Sequence, residues 1–117
     1  MDRALITEKL IAAFAQPTAT PCTWRDDRDV YVAEMQAGLL ASLIDPVRVV
    51  ACAGPVSQQY FGADGLAHPY IAIARSDDTW LLYSEATGHF AKAFGEAPHD
   101  LELLGFSSTD VLAEWLG

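Results

Sequence analysis

A chain of 117 residues has the size of one domain and is too short for two ordinary ones. With 51% hydrophobic and 20% charged residues it can bury a core and lacks the composition of a disordered segment. Sixteen acids against seven bases leave a net charge of −9, which denies the chain the basic footprint of a nucleic-acid reader. No apolar run approaches the roughly 20 residues of a membrane-spanning helix, which argues against a membrane protein.

Residues 3 to about 15 read as a first helix, with Leu5, Ile6, Leu10, Ile11 and Phe14 recurring at helical spacing. Pro17 ends it, and Gln16 to Thr23 reads as a loop. A second helix is predicted from about Asp27 to Ile44. Asp26, Asp27 and Asp29 are its N-cap candidates, Val32, Met35, Leu39 and Leu43 form its apolar face, and Asp45-Pro46 is its stop.

After Pro46 the pattern changes to strands. Val47 to Ala53 is short, β-branched and apolar, as in an interior strand, and Val56 to Phe61 suggests another before a turn at Gly62 to Gly65. Tyr70–Arg75 and Thr79–Ser84 form a hairpin around Ser76-Asp77-Asp78. His89 to Phe94 alternates, with Phe90, Lys92 and Phe94 on one face, and Leu101 to Leu104 makes a short last strand. Ser107 and Asp110 resemble a capping box ahead of a C-terminal helix carrying Val111, Leu112, Trp115 and Leu116. The expected fold is α+β, a single domain over residues 1–117. It has two N-terminal helices, a mostly antiparallel sheet of about five strands and one short C-terminal helix.

The opening residues lack the pattern of a secretory signal, so the expected location is cytoplasmic, with Cys22 and Cys52 as reduced thiols. No metal-ligand spacing links Cys22, Cys52, His68, His89 and His99, and no glycine-rich phosphate loop or nucleophile elbow occurs. No cofactor is therefore expected and no catalytic residue is assigned. Turn chemistry accounts for Asp77-Asp78 better than paired-carboxylate catalysis does.

The charge is uneven. Residues 1–58 carry seven acids and five bases, whereas residues 59–117 carry nine acids and two bases, a net −7. After Lys92 no base follows. Plain solubility explains such a balance. The sharper reading is an acidic face that steers a basic partner into contact. Its contributors would be Asp77, Asp78, Glu85, Glu96, Asp100 and Glu102, with Trp80 and Tyr83 as aromatic anchors.

Tyr70-Ile71-Ala72-Ile73-Ala74-Arg75, then Thr79-Trp80-Leu81-Leu82-Tyr83-Ser84, then Thr87-Gly88 and a further strand, resembles the SUKH superfamily. The closing Ser107-Ser108-Thr109-Asp110 and the helix ending in Trp115-Leu116 are similar to that superfamily's last cap and helix. The resemblance covers residues 59–117. In the first half Leu39-Leu40-Ala41-Ser42 stands where the superfamily has Leu-Pro soon after a helical glycine.

What the resemblance implies is a bacterial immunity protein that binds and neutralises a cognate toxin, as a monomer or dimer and without chemistry of its own. A basic nuclease-type domain would suit the acidic second half. The alternative is an acidic secretion chaperone or adaptor that holds an effector segment along a sheet edge or groove. A small histidine-dependent enzyme is the third class.

Overall fold

The computed structural model describes residues 2–16, 18, 27–53 and 67–116. Helix α1 (Arg3–Phe14) and helix α2 (Arg28–Ala41) come first. Five strands follow: β1 (Leu43–Ala53), β2 (Ala67–Ser76), β3 (Thr79–Tyr83), β4 (Phe90–Phe94) and β5 (Leu101–Ser108). Helix α3 (Val111–Leu116) ends the described chain. The α+β class, the helix–helix–strands–helix order and the largely antiparallel sheet are those expected. The strand and turn expected at Val56–Phe61 and Gly62–Gly65 lie outside the described residues, as does Cys22.

The sheet does more than stack hairpins: it closes. Each strand pairs antiparallel with the next, and β5 returns to pair parallel with β1 through Ala51–Leu101, Cys52–Glu102 and Ala53–Leu103. Alternation along the strands then sorts side chains into two cores. One lies inside the barrel and contains Val49, Ala51, Tyr70, Ala72, Trp80, Leu82, Ala91, Ala93, Leu101 and Leu103. Four of these ten are alanines, which lets so small a barrel close around Trp80 and Tyr70. The second core packs the barrel's outer wall, at Ile71, Ile73, Leu81, Tyr83 and Phe90, against Ile6 and Leu10 of α1, Leu39 of α2 and Val111 of α3.

Several boundaries differ from expectation for local reasons. Helix α2 stops at Ala41, capped by Ser42, three residues before Ile44. Leu43 already pairs with Ala74, so the sheet claims the residues that the helical pattern had suggested. Pro46 then sits within β1, where the strand takes four steps from Leu43 to Val47 against two from Ala74 to Ala72. A proline has no ladder donor to give, and a bulge is where a strand tolerates one.

The apolar run of β1 is not fully interior. Val49 and Ala51 face inward, whereas Arg48, Val50 and Cys52 are exposed. The stripe on α1 is likewise narrower than predicted, since Leu5 and Ile11 are exposed.

Helix caps follow their side-chain chemistry. Asp2 accepts from Leu5 N at 2.9 Å and Asp27 from Val30 N at 3.1 Å. At α3 the cap is Asp110, which accepts from Ala113 N at 3.2 Å, and not Ser107. Ser107 belongs to β5, opposite Ala91, because the ladder to β4 continues through Ser108.

Candidate functional site

The two-residue connection between β2 and β3 is Asp77-Asp78. Asp77 has φ 54°, in the left-handed region that a tight hairpin needs and that aspartate tolerates better than most residues. This turn is fastened to the segment after β4. Gly95 N donates to the Asp78 carbonyl at 2.9 Å, and Trp80 Nε1 donates to the Gly95 carbonyl at 2.8 Å. Arg75 completes the fastening: its Nε donates to the Asp77 carbonyl at 2.7 Å and its Nη2 to the Glu96 carbonyl at 3.1 Å. Its guanidinium lies 4.5 Å from the Trp80 ring centroid, a cation–π arrangement.

Five of the six carboxylates expected to form an acidic face come together at this end of the barrel. Asp77 and Asp78 are on the hairpin turn, and Glu96 follows Gly95. The Asp100 carbonyl lies against Gly95, and Glu102 stands opposite Phe94 in the β4–β5 ladder. Asp77, Glu96, Asp100 and Glu102 are exposed, and Asp78 is half-buried. Among the described residues no three His, Cys, Asp or Glu side chains form a metal-binding group, so these acids make a spread patch and not a chelate.

Glu85 is not part of the patch. It follows β3, whereas Asp77 and Asp78 precede it, so the full length of that strand separates them. Its carboxylate pairs instead with Arg48 at 3.5 Å, both side chains being well exposed.

The two expected anchors are core residues. Trp80 is 2% and Tyr83 7% exposed. Trp80 fills the barrel interior and spends its one donor on Gly95. Tyr83 packs under the helices, 5.2 Å from Phe90 between ring centroids. Strand alternation points one ring inward and the other under α1, which leaves neither to meet a partner. Phe94, 52% exposed beside Glu102, is the aromatic that the patch does present.

Sequence reasoning passed over Arg75 and Gly95, the residues that build the patch. Their roles arise from contacts with backbone carbonyls up to 21 residues away, for which no local motif exists.

Among the described residues neither His89 nor His99 belongs to a metal-binding group. Ser107 Oγ and His89 Nδ1 lie 3.5 Å apart, at the outer limit of a hydrogen bond, and His89 N donates to Thr87 Oγ1 at 3.2 Å. His99 is exposed on the β4–β5 connection, and the side chain of His68 lies outside the described residues. Cys52 is a free, exposed thiol. Among the described residues no helix is long and apolar enough to cross a membrane.

No family model matches the chain, and neither does any curated protein or solved structure.

Proposed function

We propose that this chain is a non-enzymatic binding protein of the immunity type, which neutralises a toxin by covering a basic surface with its acidic barrel end. The observation that carries this reading is the convergence of Asp77, Asp78, Glu96, Asp100 and Glu102 on two connections tied together by Arg75, Trp80 and Gly95. Carboxylates presented on a fixed backbone meet a cationic partner without first being ordered, so less freedom is lost on binding. Clustered charge of one sign raises the encounter rate with such a partner and makes it salt-dependent. The resemblance of residues 59–117 to the SUKH superfamily, resting on short motifs alone, supports the same reading.

The test starts with a tagged pull-down from the native host at low and high salt. The expected result is one stoichiometric, salt-sensitive partner with a basic domain. Reversing Glu96, Asp100 and Glu102 together to lysine should then weaken binding and flatten its salt dependence while the fold persists. Unchanged affinity and salt dependence would sink the acidic-end mechanism. A Ser107→Ala/His89→Gln variant should neutralise the partner as well as the parent, and loss of neutralisation with binding intact would point to chemistry instead.

A further inference from the structure

A cleft of about 540 Å³ opens between β1, β2 and the β4–β5 connection, where the barrel wall is incomplete. Strand β1 pairs with β5 only from Ala51 onward, so Arg48, Val49 and Val50 precede the closure. These three residues form one side of the cleft. Pro69 and Tyr70 of β2 continue it, and Pro98 and His99 of the β4–β5 connection form the far lip. Consecutive strand residues face opposite sides of a sheet. A cleft touching both Val49 and Val50, and both Pro69 and Tyr70, therefore passes from the outer surface towards the interior core. Its volume is in the range of small-molecule sites, and barrel mouths are a common place for them.

The lining chemistry is selective. Val49, Val50, Pro69, Tyr70 and Pro98 offer apolar surface. Among the described residues that line it there is no carboxylate, and the groups there able to meet a charge are the Arg48 guanidinium and the His99 imidazole. Among the described residues Arg48 pairs with Glu85 at 3.5 Å, an exposed contact that an incoming anion can replace at little cost.

We infer that this cleft binds an amphipathic monocarboxylate, with its alkyl body against Val49, Val50 and Tyr70 and its carboxylate on Arg48. A cationic ligand would find no carboxylate to pair with among the described lining residues. A neutral alkyl ligand would leave the guanidinium unused, and planar two-donor recognition of a carboxylate is what arginine supplies.

The probe is sodium decanoate, kept below its micelle-forming concentration and titrated into the ¹⁵N-labelled protein. Saturable shifts are expected at the amides of Val49, Val50, Tyr70 and His99. Arg48→Gln should weaken binding at least about tenfold, the loss typical of a hydrogen bond to a charged group. Val50→Glu, an exposed position on the same rim, should abolish it. Because both side chains are exposed, thermal unfolding of each variant should match the parent. Decylammonium should bind at least tenfold more weakly than decanoate. Non-saturable shifts, shifts centred elsewhere, equal affinity for decylammonium or undiminished affinity in Arg48→Gln would each overturn the assignment.

Discussion

The indole of Trp80 donates to the carbonyl of Gly95 across 2.8 Å, joining the inside of the barrel to the connection that carries Glu96 and Asp100. The bond is buried, so its loss strands a carbonyl away from water. Trp80→Phe keeps most of the apolar volume and removes the donor. It should lower stability by about 1–3 kcal/mol in urea unfolding. Partner affinity should fall as well, since the acidic connection loses its tether. A variant as stable as the parent would mean that another donor serves Gly95.

Gly95 is constrained from a second direction. A Cβ there would overlap the backbone carbonyl oxygen of Asp100, and backbone cannot swing aside as a flexible side chain would. Gly95→Ala should cost about 1–3 kcal/mol, as overpacking does, and displace the 96–100 connection. Gly38 is the control. No atom approaches its Cβ position within 4 Å, so Gly38→Ala in helix α2 should stabilise by up to about 1 kcal/mol. Equal effects at the two glycines, read by thermal unfolding, would contradict this account.

How much of this was legible beforehand follows from the range of the interactions. The Ser76–Thr79 hairpin and the alternation that puts Phe90, Lys92 and Phe94 on one face are local, and their patterns announce them. Leu43 and Ile44 fit a helical stripe as well as a strand. Only pairing with Ala74, more than 30 residues on, decides between them. Barrel closure rests on three parallel pairs between distant strands, for which a sequence carries no local signal. Among the candidate site residues the acids were recognisable by charge, and the strand expected at Thr79–Ser84 already sets Glu85 at the opposite end from Asp77 and Asp78. Trp80 and Tyr83 illustrate the opposite error: an aromatic on an alternating strand belongs to the core unless its face is known to be open.

Asp77 combines a backbone role with a charge role, and substitution can separate them. At φ 54° asparagine is tolerated, whereas a β-branched residue is strained. Asp77→Asn should therefore change stability by less than about 0.5 kcal/mol, as for an ordinary surface substitution. Asp77→Val should lose about 1–2 kcal/mol, because a β-branched side chain lacks the local hydrogen bonding that lets aspartate and asparagine occupy the left-handed region. Both remove the same charge, so both should reduce partner affinity at low salt. If only Asp77→Val does so, the turn's shape matters to the partner and its charge does not.

Glu114 on α3 supplies a pH dependence with a definite sign. Burial raises its pKa above the ordinary 4.5, the hydrogen bond from Ser108 Oγ at 3.1 Å opposes that rise, and the nearby Asp110 charge adds to it. The folded chain thus holds this proton to higher pH than the unfolded chain does. Between the two pKa values the native state binds more protons, so Glu114's contribution to stability is greatest below 4.5 and is lost as pH rises through the window. Glu114→Gln keeps an oxygen for Ser108 and cannot ionise. It should be more stable than the parent at neutral pH, with the difference shrinking to nothing as pH falls below 4.5. A constant difference across the range, measured by urea unfolding at several pH values, would show that Glu114 titrates as it does in the unfolded chain.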